Sequence, residues 1–293
     1  MKNKIIFCIC TNNRLSKLKK SLSSIFQLKN LNRYNLEIIL VSNDKNNYKR
    51  YLRHFNKKIK INTFKENLKG LSTSRNKILD ILRKKKFEYA AFIDDDCVVH
   101  KNWLNSMIEM VVRKNIDIVT GPQISKSKNI FLRIMERDCD HAREVKWAST
   151  NNVFFKKSVL KNKIKFSLAL NNIGGEDQLF FLELNKLGKK IYWNSNAPVF
   201  ELVDKKRENL GWFCKRNLRY GASSIIIYKT LWGSFLGTNL ILLKILSDFI
   251  NSFIYLIKSS FLSKKNFFIS LMYFLRVIGC LIGFTGLQIK EYK

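Results

Sequence analysis

The sequence predicts an α/β protein with a central, mainly parallel sheet, followed by an apolar helical hairpin. Three observations carry this. Up to about residue 200, short runs rich in Ile and Val alternate with amphipathic helical stretches. The runs are nearly continuous in apolar residues, as strands covered on both faces are. From about Ile225 the mixed pattern gives way to two long apolar segments.

The strands are expected at Lys4–Cys10 (KIIFCIC), Leu36–Val41 (LEIILV), Ile59–Thr63, Tyr89–Ile93 (YAAFI) and Ile116–Gly121. Between the first two, Arg14–Gln27 carries apolar residues at 15, 18, 22, 25 and 26, a helical stripe. Leu71–Lys86 repeats that pattern with Leu71, Ile78, Leu79, Ile81 and Leu82. Its closing run Arg83, Lys84, Lys85 and Lys86 complements the negative end of a helix. In a sheet of this kind ligands bind beyond the carboxyl ends of the strands.

The tail reads differently. Leu231–Ile257 carries only Lys244 and Asp248 as charges, and Phe267–Ile289 only Arg276. The second segment is 23 residues, long enough to span a bilayer as a helix of about 34 Å. Lys244 and Asp248 stand four apart and can pair, or Asp248 can meet Arg276 on a neighbouring helix. The longest uncharged runs are 13 residues, and Lys258, Lys264 and Lys265 fall between the segments. Both a spanning hairpin and helices lying in the interface fit. Attachment without full spanning is favoured, because it keeps these cations on one anionic face. The expected division is a catalytic domain over 1–222 and a membrane-associating region over 223–293. Every candidate catalytic residue precedes Tyr220, so a chain ending there is expected to keep its catalytic core.

Composition narrows the class. Of 293 residues, 46% are hydrophobic and 13% aromatic, ample for a large core and incompatible with a disordered chain. The net charge of +32 calls for a polyanionic neighbourhood, either nucleic acid or an anionic membrane face. The basic residues are dispersed and no RNA-binding aromatic motif or zinc module is present, so no nucleic acid is expected as partner. Six cysteines without a CxxC pair suit a reducing compartment. The first apolar run, Ile5 to Cys10, is shorter than a signal-peptide core and reads as a buried strand. The three histidines, at 54, 100 and 141, fall outside the motifs below.

Three motifs carry chemistry. Asp94, Asp95 and Asp96 directly follow the strand YAAFI. Adjacent carboxylates repel, and a hard divalent cation, magnesium or manganese, compensates them. Asn172–Asp177 (NIGGED) is a glycine turn opening a helix with two acids in its first turn. Gly70–Asn76 (GLSTSRN) reads as a loop entering a helix, with Arg75 set to meet an anion. A cation beside such carboxylates neutralises charge that develops on phosphate oxygens, and a carboxylate at a helix start can take a proton.

The order TNNR after strand one, G-x-S-x-x-R-N, DDD after a strand, TNNVFFKKSVL, then GGED before a helix resembles the family 2 glycosyltransferases, inverting enzymes of the GT-A fold. The resemblance covers about residues 4–222. It extends to members that build bacterial exopolysaccharide and other surface glycans, through Glu201, then Trp212, Arg216, Arg219 and Gly221, and an apolar tail ending GLQIKEYK. It implies a UDP-sugar or another nucleotide-sugar as donor, and Mg2+ or Mn2+ at Asp94 and Asp96, with Glu201 as a third ligand. Asp177 matches the catalytic base. Thr11, Asn13, Arg14, Ser42, Arg75 and Asn76 fall on the nucleotide side with Asp94 and Asp95. Asn151, Asn152, Glu176 and Arg216 fall on the acceptor side. In one departure, Ser42 stands where the family's second strand ends in an acid. The implied acceptor is a lipid-linked or growing surface glycan at the cytoplasmic face of the plasma membrane. The competing readings are a basic nucleic-acid-binding protein and a non-catalytic sugar-binding protein of the same fold.

Overall fold

The structure is a computed structural model that describes residues 2–53, 55, 59–259 and 263–290; His54 and the final EYK of the tail lie outside the described residues. In chain order the elements begin β1 (Lys4–Thr11), α1 (Leu15–Phe26), β2 (Asn35–Ser42), α2 (Tyr48–Tyr51), β3 (Lys60–Lys65), α3 (Leu71–Arg83) and β4 (Tyr89–Ile93). There follow β5 (Cys97–Val99), α4 (Trp103–Arg113), β6 (Ile118–Thr120), β7 (Gln123–Ser125), α5 (Ile130–Met135), β8 (Glu144–Val145) and β9 (Asn152–Lys156). The chain ends with α6 (Glu176–Lys186), β10 (Ile191–Trp193), β11 (Val199–Glu201), α7 (Leu210–Trp232), α8 (Ser234–Ser259) and α9 (Lys264–Phe284). It forms two compact units. The first comprises Met1–Lys126, Arg137–Phe166 and Phe180–Leu202; the second comprises Ser127–Glu136, Ser167–Leu179 and Val203–Lys293.

The first unit is built on an eight-stranded sheet of order β3-β2-β1-β4-β9-β6-β10-β8. β3, β2, β1 and β4 run parallel, β9 is antiparallel between β4 and β6, and β10 is parallel to β6. All five expected strands form, within two residues of their expected ends. The remaining strands have two to five residues and carry no periodic pattern of their own. Adjacent residues of β1 feed opposite faces. Ile5, Phe7 and Ile9 pack with Leu18, Leu22 and Ile25 of α1 and with Trp103 and Met107 of α4. Ile6 and Cys8 pack with Ile78, Leu79 and Leu82 of α3 and with Phe180, Phe181 and Leu184 of α6. Burying each large side chain contributes about 1.5–3 kcal/mol. One charge is buried in this sheet: Glu37 of β2 is 3% exposed and paired with Lys4 at 2.8 Å and Lys85 at 2.5 Å. Lys85, from the basic run after α3, thus has an internal partner.

A smaller sheet, β5-β11-β7, continues from the end of β4. The turn joining β4 to β5 is Asp94–Cys97, closed by Cys97 N–H donating to Asp94 O at 3.1 Å. β11 pairs antiparallel with β5, so Glu201 lies opposite Cys97, and Leu202 N–H donates to Asp96 O at 2.7 Å.

In the second unit α7 passes through residues 222–223 without a break, so the expected division falls inside a helix. α7 and α9 touch backbone to backbone. A Cβ on Gly221 would lie 2.1 Å from Arg276 O, and one on Gly279 would lie 2.0 Å from Leu218 O. Lys244 pairs with Asp248, while Arg276 donates to Asn217 at 3.2 Å. α8 and α9 are each long and apolar enough to cross a membrane by length and composition. Lys258 ends α8, and Lys264 and Lys265 open α9.

Candidate active site

The three aspartates occupy the carboxyl end of β4, beside the ends of the parallel strands β1 and β2. Asp95 and Asp96 are each 4% exposed, and cationic and hydroxyl partners hold them. Thr11 donates its hydroxyl to Asp95 at 2.7 Å. One guanidinium nitrogen of Arg14 lies 3.0 Å from Asp96 and 3.4 Å from Asp95. Burial, then the neighbouring charge of Asp96, still push the Asp95 carboxyl up to about 6, against Thr11 and Arg14. Asp94 is more open and lies 3.7 Å from Arg75, a guanidinium only 4% exposed at the start of α3. Arg75 also stands over the Phe166 ring, 5.7 Å from its centroid.

The first loop is held by a residue that the sequence reading passed over. Asp44 accepts from Asn13 N–H at 2.5 Å and from the Tyr48 hydroxyl at 2.7 Å. Asn13 has φ 55, a left-handed conformation that Asn tolerates through its short polar side chain. Burial, then the bond to Asp44, push the Tyr48 hydroxyl up to about 12. Asn43 ties three segments: it donates to Glu66 O and Leu68 O and accepts from Ser74. Ser42 is buried in register with Thr11 and Lys65, one and two positions before these residues. The sequence signal was Ser42-Asn43-Asp44 after the second strand; the acid is present, two positions later than the family pattern.

Two expected site residues, Asn76 and Asn152, are spent on the scaffold. Asn76 brackets Phe166, donating to its carbonyl at 2.9 Å and accepting from its N–H at 2.8 Å, so both ends of its amide are used. Asn152 is fully buried: it donates to Pro122 O and Ala197 O, and it accepts from Trp103 Nε1 at 2.8 Å. Asn151, 7% exposed, donates to Gln123, which donates to Glu201 at 2.7 Å. Gln123 carried no sequence signal, since β7 is three residues of unremarkable composition.

Glu201 lies opposite Cys97 across β5 and β11. Burial first, then the charges of Asp94, Asp96, Glu201 and Asp95, push the buried Cys97 thiol well up. Among the described residues no three or more acids, histidines or cysteines converge closely enough to hold a metal ion by themselves. The donors nonetheless fit a hard cation of the magnesium type, which takes one or two protein carboxylates and completes its shell with phosphate oxygens and water. Asp94 and Asp96 could supply that oxygen pair.

The second unit holds the other candidates. Gly174 (φ 83) and Gly175 (φ 92) form the turn into α6, whose first residues are Glu176, 4% exposed, and Asp177. Gly175 is required twice. Its φ is left-handed, and a Cβ there would lie 3.1 Å from Ile227 and 3.3 Å from Ser223, both on α7. Arg216 of α7 stands between Trp212 and Tyr220, 5.0 and 5.1 Å from their ring centroids.

The glycosyl transferase family 2 profile matches residues 6–170, more than half of the chain. The chain belongs to that family. This family 2 chain is 30% identical over 162 residues to the succinoglycan biosynthesis protein ExoM of Rhizobium meliloti (strain 1021), covering 52% of the chain. It spans about half of that relative's length, 51%. It is 26% identical over 247 residues to the poly(ribitol-phosphate) beta-N-acetylglucosaminyltransferase TarP of Staphylococcus aureus (strain N315), covering 79% of the chain and 73% of TarP. Two solved structures share its fold. The mannosyltransferase PcManGT of Pyrobaculum calidifontis, in complex with GDP-Man and Mn2+, aligns with TM-score 0.66 and 10% identity over 98% of this chain and 89% of that one. S. aureus TarS 1-349 aligns with TM-score 0.58 and 12% identity over 98% and 92%. The fold is therefore the GT-A fold of the family.

Proposed function

We propose that this protein transfers a sugar, with inversion, from a nucleotide-sugar to a hydroxyl of a lipid-linked or growing surface glycan. The observation that carries the reading is the Asp94–Asp96 turn at the carboxyl ends of parallel strands, met by Arg14 and Arg75. A divalent cation held by Asp94 and Asp96, with Glu201 alongside, supplies charge neutralisation at the departing diphosphate. Thr11 and Arg14 orient Asp95 and Asp96 for that role. Arg75, anchored on Phe166, offers a fixed guanidinium to the diphosphate. Asp177, at the start of α6, takes the proton of the attacking hydroxyl, a contribution of about 10²–10⁴-fold. Glu176 beside it and Arg216 on α7 serve the acceptor side.

The acceptor reading draws support from the relatives' names, which include succinoglycan and poly(ribitol-phosphate), both polymers. The net charge of +32 suits an acceptor that carries phosphate or acidic groups, and an anionic membrane face. Membrane association, on the cytoplasmic face, rests on α8 and α9. Phe235, Leu243, Phe253 and Leu246 are each more than half exposed, an apolar surface that water does not favour. The test is release of nucleoside diphosphate from a panel of UDP-glucose, UDP-N-acetylglucosamine and GDP-mannose with Mn2+. Turnover that Asp96→Ala and EDTA both abolish supports the reading. Turnover that is indifferent to both overturns the metal assignment, and no turnover or nucleotide binding at all favours a non-catalytic protein.

A further inference from the structure

We infer that Asn151 reads a hydroxyl group of a sugar bound beside the Asp94–Asp96 turn, with its amide orientation imposed by the charge of Glu201. The inference rests on the proposed transferase reading and adds a specificity residue to it.

An ionised carboxylate only accepts hydrogen bonds, so Gln123 must direct its Nε2 amine toward Glu201, at 2.7 Å. That leaves Gln123 Oε1 on the other side, an acceptor, and it takes a hydrogen bond from Asn151 Nδ2. Asn151 is thereby left presenting Oδ1. This oxygen is buried, and it has no hydrogen-bond partner among the described residues. The same holds for the hydroxyl of its neighbour Thr150, which is 1% exposed. A buried acceptor left unmade costs about 1–3 kcal/mol. Two in succession want partners from outside the described residues, which a ligand can supply.

The location follows from strand register. Asn152 pairs with Ile93 across β4 and β9, which run antiparallel. Asn151 and Asp94 therefore leave the two strands at the same end. Asn152 spends its whole amide on the scaffold, which fixes the strand end against Trp103, Pro122 and Ala197. Asn151, one residue earlier, is held by Gln123 but unsaturated.

The chemistry selects the ligand class. Asn151 Oδ1 needs a neutral hydrogen-bond donor. Phosphate oxygens have no proton to give, which excludes the diphosphate as its partner. A hydroxyl both donates and accepts, so it suits Asn151 Oδ1 and the Thr150 hydroxyl together. A sugar presents such groups, on either the transferred residue or the acceptor glycan.

The experiment takes the panel nucleotide-sugar with the highest turnover and its monodeoxy analogues. A site built to bond a hydroxyl rejects the analogue lacking it, here by an expected ~10²-fold or more in kcat/KM for one position. In Asn151→Ala that preference is expected to fall to within ~5-fold, with affinity for the free nucleoside diphosphate unchanged by calorimetry. Gln123→Met removes the polarity constraint without touching the sugar, so Asn151 can turn its amide. It is expected to lose most of the same discrimination, and it carries the test if Asn151→Ala fails to fold by thermal melt. Discrimination seen in donor hydrolysis without acceptor assigns the hydroxyl to the transferred sugar; discrimination seen only among deoxygenated acceptors assigns it to the glycan. An Asn151→Ala variant that slows all analogues equally, with the wild-type ratios kept, overturns the inference and leaves Asn151 structural. Absence of both turnover and nucleotide binding in the wild type overturns the transferase reading, and this inference with it.

Discussion

Arg14 approaches Asp96 to 3.0 Å, so a side chain from the end of the first strand neutralises acids at the end of the fourth. The buried pair Asp95 and Asp96 is charge-compensated from within the chain. The divalent cation proposed for the same turn would meet carboxylates already engaged.

Arg14→Ala is expected to destabilise the protein without added metal by about 1–2 kcal/mol, since it leaves two nearly buried carboxylates facing each other. Millimolar Mn2+ should then raise the melting temperature more in the variant than in the wild type. Thermal melts with and without Mn2+ decide it. Equal shifts in both proteins would show that Arg14 and the cation do not share these oxygens.

Asp177→Asn keeps the size and the helix start but cannot accept a proton. Turnover is expected to fall about 10²-fold or more with donor affinity little changed. Steady-state kinetics beside calorimetric nucleoside diphosphate binding separate this from a structural role, in which affinity collapses as well.

Glu37 gives the sheet a pH dependence. Burial pushes its carboxyl up, and the hydrogen bonds from Lys4 and Lys85 outweigh that, leaving it below the ordinary carboxylate value. The folded state therefore holds this proton less readily than the unfolded one. The stabilisation is present above the unfolded value of about 4.3 and is lost as pH falls through the lower folded value. Glu37→Gln should cost about 1–3 kcal/mol at pH 7 and flatten the loss of melting temperature on acidification below pH ~4.5. A parallel decline in variant and wild type would remove Glu37 from the account.

Gly279→Ala forces a Cβ to within 2.0 Å of the Leu218 carbonyl, so α7 and α9 must part. The expected cost is about 1–3 kcal/mol, read as a lower melting temperature in detergent. Gly188→Ala is the control: nothing lies within 4 Å of its Cβ, and only its φ of 81 resists the change. A smaller effect at Gly279 than at Gly188 would contradict the close approach.

Truncation separates chemistry from attachment. α7 runs on to Trp232, and its Ile227 and Ser223 pack against Gly175, the turn before Asp177. A chain ending at Tyr220 is therefore expected to lose Asp177-dependent transfer, contrary to what the sequence reading expected of it. A chain ending at Trp232 should retain donor hydrolysis and leave the membrane fraction, while the full chain needs detergent rather than salt for release. Release of the full chain by salt alone would assign attachment to charge rather than to α8 and α9.

The alternation of apolar runs and amphipathic stripes was legible because each long element carries its own period. KIIFCIC and YAAFI needed no partner to be recognised as strands, and Asp94–Asp96 stood out because three adjacent acids at a strand end are costly anywhere. The order of the motifs was legible for the same reason: it is written along the chain. The remaining strands were not, because β5, β7, β8, β9, β10 and β11 exist only through hydrogen bonds to strands distant in sequence. Nor was the division of labour among like residues. Asn151 and Asn152 are the same amino acid in adjacent positions, and the partners that the fold brings to each give one to the scaffold and leave the other unsaturated. Asp44 and Gln123 acquire their parts from Asn13 and Glu201, and α7 overrode the compositional boundary because its packing on α9 and on Gly175 continues past the point where the composition changes. Local period and charge set which segments bury which faces and where acid and base groups gather. Which polar group partners which is settled on folding, because hydrogen bonds are satisfied through space, and a carboxylate such as Glu201 orients amides that meet it only in the folded chain.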